Sequence, residues 1–249
     1  MRILISNDDG IYSSGLKALV DIFSPHNEVF VVAPDTERSA IGHAITISTP
    51  LWAEEVEFPG TVMAYKTSGT PADCVKLALR GLQIKPDLVL SGINKGANCG
   101  CNVIYSGTVS AATEGFFDGI RAFAISVDDY SKPNYGACYA HLRPLIERLL
   151  PHADSTTSLF NINLPSCNGD EILGTKITRQ AVSHYSDFYE KRHCPRNREY
   201  WWLSGNDLQY EKSPDTDWQA VRQGYISVTP LQFNLTNMED FYRLHNVIL

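Results

Sequence analysis

The first apolar run of the chain, Ile3 to Ile5, gives way at once to the polar group Ser6-Asn7-Asp8-Asp9. A short aliphatic run bounded by turn-forming residues reads as a buried strand. Leu16, Leu19, Val20 and Phe23 then fall at i, i+3, i+4 and i+7, one face of a helix that Ser13 or Ser14 can cap. Val29 to Ala33 is a second, β-branched run, closed by Pro34-Asp35. Strand, helix and strand in this order are the βαβ rhythm of a parallel sheet, whose crossovers are nearly always right-handed.

The rhythm continues. Val62 to Tyr65 predicts a strand. Thr70-Pro71-Ala72-Asp73 predicts a helix start, with Thr as cap, Pro at the first position and an acid in the first turn; Cys74 to Leu82 is its body. Asp87 to Leu90 predicts a strand running into Ser91-Gly92, and Phe123 to Val127 another. Between them Ser106 to Phe117 predicts a helix with Val109, Ala112 and Phe116 on one face. Leu142, Leu145, Ile146 and Leu149 give helical spacing over His141–Leu150, where Pro144 must sit in the first turn or kink the helix. Ser158 to Leu164, ended by Pro165, predicts the last core strand.

Near residue 170 the texture changes. Thr175–Ser183 and Glu199–Leu203 alternate or are aromatic-rich, as in antiparallel strands, and the charged stretch Asp187–Arg198 suits a protruding hairpin. Gly224 to Leu231 predicts one more strand. The expected organisation is therefore an α/β core over residues 1–170, built on a mostly parallel sheet. A C-terminal extension over residues 171–249 carries a β-hairpin and a strand returning to the core.

Length and composition narrow this picture. A chain of 249 residues suffices for one large α/β domain with a small appendage, and 43% hydrophobic with 20% charged residues is ordinary for a globular protein. A net charge of −7 argues against a non-specific nucleic-acid surface, which needs clustered Lys and Arg, but leaves room for a small phosphorylated ligand. The six cysteines form no CxxC pair, and scattered thiols suit a reducing compartment. The first apolar run is too short for a signal peptide, and no stretch approaches the roughly 18 apolar residues of a membrane span, so a cytoplasmic location without membrane contact is expected.

The candidate chemistry gathers at strand ends, where open parallel sheets bind ligands. The first strand ends in Asn7-Asp8-Asp9-Gly10, the second in Pro34-Asp35 followed by Glu37-Arg38-Ser39, and the Asp87 strand in Ser91-Gly92-Ile93-Asn94. Two adjacent carboxylates in a tight site repel unless a cation neutralises them. Asp8, Asp9, Ser39 and Asn94 offer only oxygen donors without His or Cys, which suits Mg²⁺ or Mn²⁺ better than a structural zinc; taken alone, Asp8-Asp9-Gly10 fits a solvated turn equally well.

A glycine-rich loop, Gly92 to Gly100, leads to Ser106-Gly107-Thr108 at a predicted helix N-terminus, where free amides and the dipole favour a phosphate; simple capping is the other reading. The loop is neither GxGxxG nor a Walker A sequence. His43 reads as a general acid, a phosphate or substrate contact, or a structural residue, and Lys95 as an anion contact or a solvated cation. Trp201-Trp202 reads as a stacking platform or, more commonly, an interface pair, and is left outside the site.

Together, Asn7-Asp8-Asp9-Gly10, Val32-Ala33-Pro34-Asp35 with Arg38-Ser39, Gly69-Thr70-Pro71-Ala72-Asp73-Cys74, Ser91-Gly92-Ile93-Asn94 and Tyr105-Ser106-Gly107-Thr108-Val109 closely resemble the SurE family of stationary-phase survival nucleotidases. The resemblance is strong over residues 1 to 130 and returns at Asn161–Pro165 and Val228–Leu231. It implies a Rossmann-like three-layer core and a cytoplasmic, divalent-metal-dependent 5′-nucleotidase acting on nucleoside monophosphates. It also implies one metal ion per subunit on Asp8, Asp9, Ser39 and Asn94, and a phosphate-binding turn at Asn98, Ser106, Gly107 and Thr108. A homodimer or homotetramer with an exchanged C-terminal hairpin is the implied assembly. The chain departs from the family at Asn102, where many members carry Asp, and at Cys99 and Cys101.

The reaction expected from these residues is metal-assisted phosphomonoester hydrolysis, with Asp8 and Asp9 as the catalytic pair. Two rivals remain at this level. A receiver-type signalling domain needs a phospho-accepting Asp where this chain reads Ser91-Gly92-Ile93-Asn94. A metal-dependent nucleotide sensor without turnover shares every motif.

Overall fold

A computed structural model describes residues 1–153 and 158–248. Eleven strands are present among them: β1 (Arg2–Ser6), β2 (Glu28–Pro34), β3 (Ala53–Glu55), β4 (Met63–Thr67), β5 (Leu88–Lys95), β6 (Arg121–Asp128), β7 (Leu159–Pro165), β8 (Gly174–Ile177), β9 (Ser183–His193), β10 (Glu199–Tyr210) and β11 (Tyr225–Leu231). The helices are α1 (Ser14–Phe23), α2 (Pro71–Lys76), α3 (Asn102–Tyr105), α4 (Gly107–Phe117), α5 (Gly136–Leu149), α6 (Asp217–Arg222) and α7 (Met238–Ile248).

Nine strands form one sheet in the order β3-β4-β2-β1-β5-β6-β7-β11-β8. From β4 through β7 all neighbours are parallel, while β3 and β11 join antiparallel at either side. Alternation along the strands sorts the core into two faces. Ile3 and Ile5 of β1 pack with α1 and α5, whereas Leu4 between them packs with α2 and α4. The result is the three-layer α/β architecture, with helices covering both faces of a parallel sheet.

The chain builds outward from β1 in both directions, to β2 and β4 on one side and to β5, β6 and β7 on the other. The gap between β1 and β5 is thus the topological switch point, where crossovers diverge and leave a crevice at the carboxyl edge. Asp8 and Asp9 follow β1, and Asn94 lies near the end of β5, so the fold places them at this crevice.

Several local expectations are met by the named residues. The Ser13 side chain caps α1 by accepting from the Leu16 amide at 3.3 Å. Thr70 and Asp73 form a reciprocal capping box on α2, and Ser106 caps α4 by accepting from the Val109 amide at 3.1 Å.

Other elements differ. The helix begins at Pro71 behind its Thr70 cap, as expected, but its body passes at Leu77–Gly81 into a wider π turn. The strand expected to stop at Leu90 runs on to Lys95, with its pairing to β6 shifted between Ser91 and Asn94. Pro144 lies inside α5, because that helix starts at Gly136, whose amide is bound by the Asn134 side chain at 2.8 Å. β7 is not the edge of the core: β11 and β8 lie beyond it. The alternating stretch Thr175–Ser183 is divided. Its first part belongs to β8, which pairs parallel with β11, and Ser183 opens the hairpin. That hairpin, β9 with β10, is longer than the charged segment Asp187–Arg198 suggests. After the change of texture near residue 170 the chain reverses its sense in the sheet, β11 joining β7 antiparallel, and the extension adds two strands, β11 and β8, to the same sheet.

Candidate functional site

Asp8 is buried, at 6% exposure, beneath the N-terminus of α4. Its Oδ1 accepts a hydrogen bond from the Thr108 hydroxyl at 2.6 Å. Gly107 makes this approach possible: a Cβ there would lie 2.8 Å from the Asp8 Cβ and 3.0 Å from Oδ2. On the other side, the Asp8 carbonyl accepts from the Arg38 amide at 2.7 Å, which fixes the turn after β2 against the end of β1. Burial pushes the Asp8 carboxyl up to about 6; the Thr108 hydrogen bond opposes the rise and the neighbouring Asp9 charge adds to it. Among the described residues Asp8 forms no ion pair.

Asp9 is also raised by burial, against the lowering influence of Lys95. Lys95 Nζ lies 3.6 Å from Asp9 Oδ1 and 2.7 Å from Glu37 Oε2. The Ser39 hydroxyl donates to Glu37 Oε1 at 2.7 Å. A chain of contacts therefore runs from Asp9 through Lys95 and Glu37 to Ser39 and binds three turns together. Hydrogen bonds from Lys95 and Ser39 hold Glu37 below the usual carboxylate range. Asn94 donates its amide nitrogen to the Gly96 carbonyl at 2.7 Å, so the amide oxygen is the atom it can offer to a cation.

No group of three His, Cys, Asp or Glu is assembled among the described residues. The donors at the crevice are two carboxylates, an amide oxygen and a hydroxyl, the hard oxygen set that Mg²⁺ and Mn²⁺ take. A buried, adjacent carboxylate pair disfavoured in its charged form fits such an ion on electrostatic grounds. Beside it, α4 presents its free N-terminal amides, suited to an anion.

The remaining expected residues are placed differently. Asn98 is built into the sheet edge. Its amide nitrogen donates to Ser126 Oγ at 2.8 Å, its backbone N–H to Asn163 Oδ1 at 2.8 Å, and its carbonyl accepts from Asn161 at 2.7 Å. His43 bonds Glu114 Oε1 at 2.7 Å, while Lys76 donates to Glu114 Oε2 at 2.9 Å. Burial raises the Glu114 carboxyl, but those two partners outweigh it and the net shift is downward. His43 thus sits roughly two helical turns along α4 from Ser106 and anchors the loop after Ser39. Trp201 and Trp202 are exposed on β10 of the hairpin.

The C-terminal extension reaches the glycine loop, a feature without a local sequence signal. Asp217 accepts from the Gly100 amide at 2.9 Å, Gln180 donates to the Gly100 carbonyl at 2.7 Å, and Ser183 Oγ accepts from the Cys101 amide at 2.7 Å. Asn102 donates to the Ala97 carbonyl at 3.2 Å and accepts from the Tyr185 hydroxyl at 2.8 Å. An aspartate could keep the Tyr185 contact but would set a carboxylate oxygen against the Ala97 carbonyl. Asn102→Asp is therefore expected to cost about 1–2 kcal/mol, read as a lower urea midpoint with unchanged slope.

A doubly wound parallel sheet with an acidic pair and a helix N-terminus at its switch point defines a Rossmann-like protein whose candidate site lies at the carboxyl edge of the sheet. The sequence profile described as Survival protein SurE matches residues 3–187, and the chain belongs to the SurE family. It is 46% identical over 243 residues to "5′-nucleotidase SurE" of Carboxydothermus hydrogenoformans, covering 95% of this chain and 92% of that one. It is 44% identical over 249 residues to the protein of the same name from Trichodesmium erythraeum, with 95% and 93% covered. The crystal structure of SurE protein from Aquifex aeolicus superposes with a TM-score of 0.85 at 34% identity, over 100% of both chains.

Proposed function

We propose that this protein is a divalent-metal-dependent phosphomonoesterase that hydrolyses nucleoside 5′-monophosphates to nucleoside and inorganic phosphate. The observation that carries the reading is Asp8, adjacent in sequence to Asp9, packed directly against the N-terminus of α4, in a family whose relatives above are named 5′-nucleotidases. Asp8, Asp9, Ser39 and Asn94 would hold one Mg²⁺ or Mn²⁺ per subunit. When bound, the ion supplies Lewis-acid polarisation of the phosphoryl oxygens and acidifies water.

The chain's own residues supply the rest. The N–H groups at the start of α4, with the Ser106 hydroxyl, would stabilise developing charge on the phosphoryl oxygens, where fixed dipoles act without reorganising, while the Thr108 hydroxyl gives its one proton to Asp8. Asn98 ties the glycine loop to β6 and β7 through Ser126, Asn161 and Asn163. Thr108 fixes Asp8 Oδ1, which leaves the carboxylate of Asp9, facing the open crevice beside Lys95, to orient the attacking water. His43 has no substrate contact in this account.

We read the assembly as a homodimer or homotetramer. The hairpin exposes Phe188, Tyr189, Trp201, Trp202 and Leu203, and α7 exposes Phe241, Tyr242 and Val247, large apolar side chains of the kind subunit interfaces bury. We place the protein in the cytoplasm, on the ground that its six cysteines are scattered along the chain without a CxxC pair, a usage that suits a reducing compartment. No helix among the described residues is long and apolar enough to cross a membrane.

The test is a panel of 5′-AMP, 3′-AMP and p-nitrophenyl phosphate assayed for phosphate release with Mg²⁺ or Mn²⁺. Preferred turnover of 5′-AMP is the expected result. Nucleotide binding with no release from any of the three would replace the enzyme with a sensor.

A further inference from the structure

The connection between β2 and β3, residues 35–52, contains neither helix nor strand. Connections longer than about 12–15 residues without structure of their own are uncommon and usually functional. This one carries Ser39, and no regular element fixes it; contacts with neighbouring elements do so instead. Upstream of Ser39 the Arg38 amide donates to the Asp8 carbonyl at 2.7 Å. Downstream the chain turns back through Ala40 and Gly42, with φ of 54° and 59°. The Gly42 amide then donates to the Tyr105 carbonyl at 3.0 Å. His43 meets Glu114 Oε1 at 2.7 Å, the Thr70 hydroxyl donates to the Ala44 carbonyl at 2.7 Å, and the Thr46 hydroxyl donates to Asp73 Oδ2 at 2.6 Å. Ser39 is thus suspended between one anchor on Asp8 and a row of anchors on α3, α4 and the start of α2.

We propose that Glu114 is a positioning residue of the phosphohydrolase centre: through His43 it holds the segment 40–46 on α4 and so sets where the Ser39 hydroxyl stands relative to Asp8. The inference rests on the metal-dependent reading above and extends it to a carboxylate to which that reading gives no contact with metal or substrate.

Three observations carry it. First, Glu114 is a charge out of water, its side chain only 8% exposed. Paired charges in an interior stabilise a fold no better than apolar side chains of similar size, so stability alone does not account for an acid here. Second, the carboxylate is divided between elements. Oε1 serves His43 of the loop, and Oε2 accepts from Lys76 of α2 at 2.9 Å. One group therefore cross-links the loop, α2 and α4, and α4 is the helix whose Thr108 hydroxyl fixes Asp8. Both flanks of Ser39 are referred to one frame, Arg38 directly on Asp8 and His43 through α4. Third, the imidazole is held in orientation as well as in place. It stacks on Phe117, with ring centroids 6.0 Å apart and 15° between the planes. A directional hydrogen bond to a fixed ring suits a group that locates a ligand loop, as partners lying behind metal ligands do elsewhere.

The experiment follows binding of Mn²⁺ alone by titration calorimetry in the wild type, His43→Leu, Glu114→Leu and Glu114→Gln. His43→Leu leaves Glu114 paired with Lys76, so it breaks the loop contact without orphaning the buried charge. Thermal melting checks that each variant is folded. The expected result is that Mn²⁺ binds about tenfold more weakly to His43→Leu and Glu114→Leu, the lower end of the range for groups behind the ligands. Glu114→Gln keeps a hydrogen-bonding partner for His43 and should recover most of the affinity. Without metal, trypsin should cut after Arg38 at least about fivefold faster in His43→Leu than in the wild type, since cleavage there needs the loop to open. Unchanged Mn²⁺ affinity in folded His43→Leu, with wild-type turnover of 5′-AMP intact, would overturn the positioning role and leave the hydrolase standing. Weakened Mn²⁺ binding in the variants of a protein that releases no phosphate from 5′-AMP would support the role and refute the hydrolase. A wild type that binds no Mn²⁺ would refute both.

Discussion

Asp9→Asn is expected to lower kcat/KM for 5′-AMP by at least about 10³-fold, because in the proposed mechanism it removes one of the two charged ligands that would hold a divalent cation against the phosphoryl group. A cation's stabilisation of transition-state charge is worth several kcal/mol, and about 4 kcal/mol corresponds to that factor. The same substitution should leave the metal-free protein at least as stable as the wild type. Burial raises the Asp9 carboxyl despite Lys95, so the ionised form is disfavoured in the fold. Asp8, pushed up to about 6, carries the larger penalty. Its native state binds the proton more tightly than the unfolded chain does. The stability contributed by the protonated group is therefore present below about pH 4 and lost as pH rises through about 6, on the order of 3 kcal/mol. Urea denaturation of metal-free Asp8→Asn should show a stability advantage over the wild type at pH 7.5 that disappears at pH 4. Loss of activity together with a gain in stability separates a functional carboxylate from a structural one. Activity of Asp9→Asn within tenfold of wild type would move the catalytic role elsewhere.

The second large effect is expected from one methyl group. Gly15 is near the start of α1, and a Cβ at this position would overlap the carbonyl oxygen of Ile93, a backbone atom of β5. Room to yield is small, because α1 is packed on β1, Ile93 is fully buried, and the pairings of Ser91 and Asn94 with β6 hold the strand on either side of it. Gly15→Ala should destabilise the protein by about 3 kcal/mol, the upper end for overpacking. It should also weaken Mn²⁺ binding, since moving Ile93 moves Asn94. A calorimetric titration of the folded fraction checks the second effect, and a urea midpoint within error of wild type would contradict the first.

What the sequence discloses and what it hides have a common physical origin. Signals decided within a few residues are legible: the capping of α1 by Ser13, the Thr70–Asp73 box, the Ser106 cap, and the apolar runs of β1 and β2. Because ligand sites of parallel sheets lie at strand ends, those runs also locate Asp8, Asp9 and Asn94. The extension of β5 to Lys95 is obscured by glycine and polar residues within it, which only pairing with β6 holds in a strand. The parallel partnership of β8 with β11 joins segments about 50 residues apart, so alternation alone cannot fix its sense. The same holds for the contacts that shape the site. Thr108 lies 100 residues from Asp8, Lys95 58 from Glu37, and Asp217 117 from Gly100. Asn98 and His43 show the converse. Their chemistry is evident from the sequence, but Ser126, Asn161 and Asn163 in one case and Glu114 in the other determine where it is spent.

The most direct test of the account is phosphate release from 5′-AMP by protein stripped with EDTA and then titrated with Mn²⁺. The account predicts negligible turnover in the stripped protein, recovery that saturates at one ion per subunit, and a melting temperature that rises along the same curve. Full turnover with EDTA still present, from a protein whose melting does not respond to Mn²⁺, would contradict it.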